Sequence, residues 1–249
     1  MLASINKIKR QYFDYGSVCV YGMRGRGKDM LMSNIAVRNK NHISNMCYGD
    51  GYIPLDFSKL DIGNRSVDLV DGKPKPYVYP YPENVDIFIS DIGIYFPSQY
   101  YDYLNKKYPT LPMFLALSRQ LGLCNVHLNT QHLGRPWDKF REQSDIYIHC
   151  NKVKVIGKLV VQTITAYENY ETALAKADPF WYPPCRLASS RDERRLWRNN
   201  RAMAQAKYLE THGSVKRYTL IYINKSNYDT RYFKSLLACE EDNINEETH

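Results

Sequence analysis

The sequence predicts an α/β protein, with a central, mostly parallel sheet, helices on both faces and a small C-terminal extension. Three stretches predict it. The β-prone residues 17–21 lead through the turn Gly22-Met23-Arg24-Gly25-Arg26-Gly27 to Lys28, Asp29 and a helix-like run at 30–37. A near-continuous apolar run of strand length, residues 85–90, ends in Asp91. A third run, 125–128, ends in the polar Asn129, Thr130 and Gln131. Strands buried on both faces of a parallel sheet read as unbroken apolar runs, and ligands gather at the carboxyl ends of such strands.

Strand, glycine-rich turn, lysine and helix form the layout of a phosphate-binding loop. Glycines admit positive φ and let backbone N–H groups close around phosphate oxygens. The helix N-terminus adds unpaired donors and a partial positive charge. The pattern G-x-x-x-x-G-K-[ST] is met at Gly22, Gly27 and Lys28, and Asp29 stands where a hydroxyl normally ligates Mg²⁺. A carboxylate is also a hard oxygen ligand suited to Mg²⁺. The expected nucleotide contacts are Gly22, Arg24, Gly25, Arg26, Gly27, Lys28, Asp29 and Met30, with Lys28 on the β/γ-phosphates. The alternative is a glycine-rich turn with an exposed lysine that binds no nucleotide.

Asp91, downstream of that loop and at a strand end, has the place of an acid that holds Mg²⁺ through water. Its plainer role is to start the turn Asp91-Ile92-Gly93. In many such ATPases a catalytic Glu follows the Asp; here Ile92 follows, so the base that would activate water is not identified. Gln131, with its polar neighbours, can sense a γ-phosphate or orient water, or it can simply open a loop.

Composition bounds the rest. The 249 residues can bury a full core. A net charge of +8 suits an anionic partner, whether nucleic acid, nucleotide or membrane surface, although solubility alone would explain it. Six scattered cysteines contain no C-x-x-C pair, which removes zinc-ribbon and thioredoxin-like readings. Cys19, Cys124 and Cys150 lie in or beside apolar runs and read as buried free thiols, fitting a reducing compartment. Residues 1–10 lack the apolar core of a signal peptide, and no stretch approaches the ~18 apolar residues of a membrane span.

In chain order, residues 2–14 read as a short helix with a basic face, and 47–53 as a short strand. Prolines and turn pairs break up 54–82, an insertion over the nucleotide edge or a lid. Residues 96–109 are tyrosine-rich, a helix with an aromatic face or an interface loop. A helix over 111–121 begins with Pro112 in its first turn and is closed by Gly122. A fourth strand follows at 145–150. Residues 153–165 read as a hairpin turning at Gly157-Lys158. Residues 1–176 form the core domain. Residues 177–240 form an extension, with arginines 186, 191, 194, 195, 198 and 201 in a mostly helical stretch and a strand at 217–223. Residues 241–249 are an acidic tail that reads as disordered. The arginines suit phosphate contact or a solvated helix face.

The order of these landmarks resembles the zonular occludens toxin family, which includes the assembly ATPases of filamentous phages among the FtsK/HerA-like P-loop NTPases. Beyond the loop and the two strand ends, Asp91-Ile92-Gly93-Ile94-Tyr95-Phe96-Pro97, Ser118-Arg119-Gln120-Leu121-Gly122, Phe140-Arg141-Glu142 and the Gly157 hairpin follow that family's order. The resemblance spans residues 16–175, with weaker echoes to about 235.

It implies an ATP- and Mg²⁺-dependent, ring-forming homo-oligomer, such as a hexamer, that assembles or extrudes a single-stranded DNA phage through a host envelope. Its partners would be single-stranded DNA or nucleoprotein, and a coat or envelope-pore protein. Its place would be the host cytoplasm, peripheral to the inner face of the membrane. Lys28 would bind phosphate, Asp91 would hold Mg²⁺ and Gln131 would sense the γ-phosphate; Asp29, outside the family pattern, would join the Mg²⁺ ligands by its own carboxylate chemistry. Arg119 or Arg141 would reach a neighbouring subunit's nucleotide as an arginine finger. Three departures stand out: Asp29, Ile92 and the lack of the family's membrane-spanning segment. A genome-packaging ATPase of a non-filamentous virus, a nucleotide-binding adaptor without turnover and a basic DNA-binding protein are the other readings.

Overall fold

The computed structural model describes residues 1–14, 16–60, 81–108, 125–141 (Arg141 without its side chain), 143–178, 187–212 and 215–226, with Leu69–Val70, Lys73–Pro74 and a few isolated positions between. Arg119, Glu142, the helix expected at 111–121 with its Gly122 cap, most of the segment 54–82 and the acidic tail lie wholly or largely outside the described residues.

Eleven strands are described: β1 (Leu2–Ala3), β2 (Val18–Tyr21), β3 (His42–Ser44), β4 (Tyr52–Pro54), β5 (Leu69–Val70), β6 (Lys73–Pro74), β7 (Ile87–Ile89), β8 (Val126–Thr130), β9 (Ile146–Ile156), β10 (Leu159–Tyr167) and β11 (Lys216–Ile223). Nine of them form one sheet, in the order β1-β11-β10-β9-β2-β8-β7-β3-β4, while β5 and β6 pair separately. The sheet is parallel throughout except where β10 meets β9 and β11. Between the strands lie α1 (Ile5–Ile8), α2 (Lys28–Ala36), α3 (Phe57–Leu60), α4 (Ile92–Tyr95), α5 (Tyr101–Lys107), α6 (Asp138–Arg141), α7 (Tyr170–Ala177), α8 (Arg191–Asn199) and α9 (Arg201–His212).

The sheet is covered on both faces, as the apolar runs require. Along β2, Val18 and Val20 join one buried cluster with Leu31, Met32 and Ile35 of α2. Cys19 and Tyr21 point the other way and pack with Tyr147, Tyr167 and Ala173 of α7. That is the period-2 alternation of a strand with no solvent face. Burial pushes the thiols of Cys19 and Cys150 up to about 12, so neither is a thiolate near neutral pH.

Several elements differ from the sequence reading. Residues 2–14 form β1, α1 and a π-helical turn, Lys9–Phe13, in place of one helix. The short strand expected at 47–53 is met only at its end, by β4, and a further strand, β3, precedes it. β9 is a single 11-residue strand running into the hairpin, which turns at Gly157 with φ +58°. The arginine-rich stretch is two helices separated at Asn200. β11 lies inside the main sheet, between β1 and β10.

His42 of β3 is fully buried against Tyr48, Tyr52 and Phe88. Neither ring nitrogen has a hydrogen-bond partner among the described residues. Burial lowers its pKa from the ordinary 6.5, so the folded chain holds it neutral. The unfolded chain takes up that proton first as pH falls, so this contribution to stability is fully present above about pH 6.5 and is lost below it. The slope is at most about 1.4 kcal/mol per pH unit. Thermal melts are therefore expected to show Tm dropping by about 2–4 °C for each pH unit below about 6.5, with a shallower slope in His42→Phe. Equal slopes in the two proteins would show that His42 does not titrate on unfolding.

Candidate functional site

The strand order sets the site. β8 lies between β2 and β7, and all three run parallel, so their carboxyl ends open on the same side of the sheet. Register aligns Val20 with Asn129, Tyr21 with Thr130, and Ile89 with Leu128. Consequently the glycine loop after β2, the Ser90-Asp91 turn after β7 and the Asn129–Gln131 end of β8 meet around one cavity. The cavity has a volume of about 690 Å³, within the usual range for a small-molecule site. Its walls include Arg24, Gly25, Gly27, Lys28, Asp29, Met30, Ser90, Asp91, Gln131 and, from the β9 hairpin, Val153 and Val155.

Gly27 is the N-cap of α2 and adopts φ +78°, which a β-carbon would strain. It is also closely packed: an added Cβ would lie 3.0 Å from both Gln162 Nε2 and Val153 Cβ. At Gly22 an added Cβ would come within 2.7 Å of the Cys150 carbonyl oxygen. The loop is therefore wedged against β9 and β10. It is also tethered there. Gln162 Nε2 donates to the carbonyls of Gly27 (2.9 Å) and Arg26 (3.2 Å), and Tyr222 OH donates to Gln162 Oε1 at 2.8 Å. With those carbonyls turned away, the N–H groups at the start of α2 remain free for an anion.

Lys28 is only 5% exposed and borders the cavity. Asp29, the next residue, accepts three hydrogen bonds on one oxygen. Its Oδ1 takes Ser90 Oγ at 2.5 Å, Asn129 Nδ2 at 2.7 Å and Tyr48 OH at 3.4 Å. Asn129 is fully buried and bridges further, accepting the Asp91 backbone N–H on Oδ1 at 2.7 Å. Asn45 fixes the turn from the other side: Ser90 N–H donates to its Oδ1 (2.7 Å), and its Nδ2 donates to the Ser90 carbonyl (3.0 Å). Asp91 sits at φ +47°, a left-handed conformation that Asp tolerates better than most residues, where the chain turns from β7 into α4.

The two carboxylates shape the electrostatics. Burial, and then the neighbouring charge of Asp29, push the Asp91 carboxyl above its ordinary value, while Lys28 pulls it down. Two acids on one cavity repel unless a cation lies between or beside them. Carboxylate, phosphate and water oxygens are the ligand set of a hard divalent cation. The pair fits such an ion better than a single acid would.

The structure thus brings together Gly22, Arg24, Gly25, Arg26, Gly27, Lys28, Asp29, Met30, Asp91 and Gln131 on the loop or around its cavity. Arg119 and the Arg141 side chain fall outside the described residues. Sequence reading missed Asn45, Tyr48, Ser90 and Gln162, and it weighed Asn129 as a phosphate sensor, a group orienting water or the start of a loop, not as a brace between Asp29 and Asp91. A signal existed for Gln162: an amide within the apolar run of β10 has to find buried partners.

No family model matches the chain, and no curated protein matches it. Among solved structures it is similar to the N-terminal domain of zonular occludens toxin from Neisseria meningitidis. The identity is 11% and the TM-score 0.41, covering 88% of this chain and 98% of that one. It is also similar to the genome packaging NTPase B204 from Sulfolobus turreted icosahedral virus 2. The AMP complex aligns at 16% identity with a TM-score of 0.36, and the ATP-gammaS complex at 14% with a TM-score of 0.36. Each of those two alignments covers 85% of this chain and 93% of that one. The strand order, the glycine loop capping α2 and the acid after β7 give the chain an α/β fold with the layout of a phosphate-binding loop at the carboxyl ends of parallel strands.

Proposed function

We propose that the chain binds ATP with Mg²⁺ and hydrolyses it, as an oligomeric motor in the assembly or extrusion of a single-stranded DNA phage. The observation that carries the catalytic part is the convergence of Lys28, Asp29, Asp91 and Gln131 on one cavity beside a tethered glycine loop. In this reading Lys28 and the first N–H groups of α2 bind the β- and γ-phosphates. Asp91 holds the cation through water, Asp29 offers its second carboxylate oxygen, and Gln131 faces the γ-phosphate. Arg119 or Arg141 of a neighbouring subunit supplies charge to the transition state. The biological role rests on the order of motifs along the chain, and packaging of a non-filamentous virus is served by the same site. The divisions at 176 and 240, the ring, the coat or pore partner and a place at the cytoplasmic side of a membrane belong to this proposal. No helix among the described residues is long and apolar enough to cross a membrane.

One observation favours a second reading, nucleotide binding without turnover. Asp29 spends Oδ1 on three donors of the cavity wall, and Ile92, where an acid often stands, is fully buried. Phosphate release and light scattering on the purified chain decide between the two. The motor reading expects an oligomer with Mg²⁺-dependent turnover, stimulated by single-stranded DNA. An oligomer that binds ATP but releases no phosphate with Mg²⁺ or Mn²⁺, with or without DNA, would overturn it in favour of the second.

A further inference from the structure

Helix α8 carries Arg191, Arg194, Arg195 and Arg198, all exposed. Their spacing is i, i+3, i+4, i+7, which at 3.6 residues per turn gathers all four into an arc of about 100°. None of the four guanidinium groups makes a hydrogen bond or ion pair among the described residues. The acids of the same helix do not neutralise the stripe. Glu193 lies on the opposite side, where it accepts the Ser189 N–H at 2.8 Å and pairs with Lys207 of α9 at 3.9 Å. Asp192 has no cation within ion-pair distance among the described residues.

We infer that this arginine face is a docking surface for the sugar–phosphate backbone of a nucleic acid. Four guanidinium groups are held along about 10 Å of one helix side, a length over which a duplex carries about six phosphates. Guanidinium matches phosphate geometry with paired N–H donors. Charge alone would also suit an anionic membrane, but a helix that lies in a membrane surface needs a free apolar face. The apolar side of α8 is already used: Trp197 is 3% exposed and, with Leu196, packs against Ala204 and Tyr208 of α9. What remains for a partner is purely electrostatic, which is how a phosphate backbone is gripped. The surface is separate from the nucleotide cavity and does not require the ATPase reading to hold.

Anisotropy titrations with labelled single-stranded DNA, single-stranded RNA and duplex DNA of about 20 nucleotides, over a series of salt concentrations, test this. Arg194→Gln/Arg195→Gln is expected to reduce the slope of log K against log salt by about 1.4 on a single strand, or about 1.8 on a duplex. Affinity should fall roughly tenfold near 0.15 M salt, and Arg194→Lys/Arg195→Lys should retain most of it. Both positions are exposed, so melting curves should be unchanged, and ATP binding, measured separately, should be too. The polymer showing the largest loss identifies the natural class. Slope and affinity unchanged in the glutamine variant would overturn the inference. So would a wild-type chain that binds phosphatidylglycerol vesicles through these arginines and no oligonucleotide.

Discussion

Replacing Lys28 by alanine is expected to lower kcat/KM for ATP by about 10²–10³-fold, or about 3–4 kcal/mol of transition-state stabilisation. The ammonium is nearly buried at the start of α2, where it borders the cavity together with Asp29 and Asp91. A charged donor in so sheltered a place interacts with phosphate far more strongly than it would in water. Its loss has a second consequence. Lys28 is the cation that offsets the upward push on the Asp91 carboxyl. Without it Asp91 ionises at higher pH, so the variant should need both more Mg²⁺ and more alkaline buffer to reach its own maximum. A lysine that does not touch the nucleotide would predict the pH effect alone, without the loss of affinity for ATP. The decisive measurements are turnover against Mg²⁺ at several pH values, with a fluorescent ATP analogue for binding and a melt as fold control. Turnover within about threefold of wild type, well short of a lost phosphate ligand, would show that Lys28 does not contact the nucleotide.

The glycine loop between β2 and α2 was legible in the sequence because all its determinants are local: glycine spacing, a strand before and a helix after. Asp91 was legible for a related reason, as an acid closing an apolar run. The hydrogen bonds that make these two features one site were not. They depend on β8 lying between β2 and β7, a strand order that brings Asn129 alongside both motifs from 100 residues after Asp29. β3 was hidden because three residues, His-Ile-Ser, carry no periodic signal; the strand forms beside β7, which pairs Ile43 with Ile87. β1 was hidden likewise, since Leu2 and Ala3 pair with Thr219 and Leu220 at the far end of the chain. Tertiary pairing overrides local propensity in both places. Gln162 differs: its polarity within an apolar strand was visible, but its partners, the carbonyls of the glycine loop, were not.

Asp29 and Ile92 both depart from the usual pattern of such a loop, and for Asp29 the geometry gives a quantitative expectation. A serine hydroxyl at this position is too short to take the place of Oδ1. Asp29→Ser therefore leaves Asn129 Nδ2, Ser90 Oγ and Tyr48 OH without their shared acceptor. Hydrogen bonds to a charged acceptor are worth about 1.5–3 kcal/mol. Tm should fall by several degrees, and turnover should drop rather than rise toward that of a conventional loop. Asn129→Leu is expected to be worse, at about 2–5 kcal/mol, because it removes one of the three donors to the Asp29 carboxylate and also deprives the Asp91 N–H of its acceptor. If Asp29 acts through Asn129, the double variant should cost little more than Asn129→Leu alone, with a coupling of about 1 kcal/mol or more. Chemical denaturation of the four proteins measures that coupling, and turnover assays on the same set give its catalytic counterpart. Additive losses in stability would mean that the Asp29–Asn129 contact carries no weight. Strong coupling in stability with independent losses in turnover would assign Asp29 both tasks, one oxygen bracing the cavity wall and the other serving the cation.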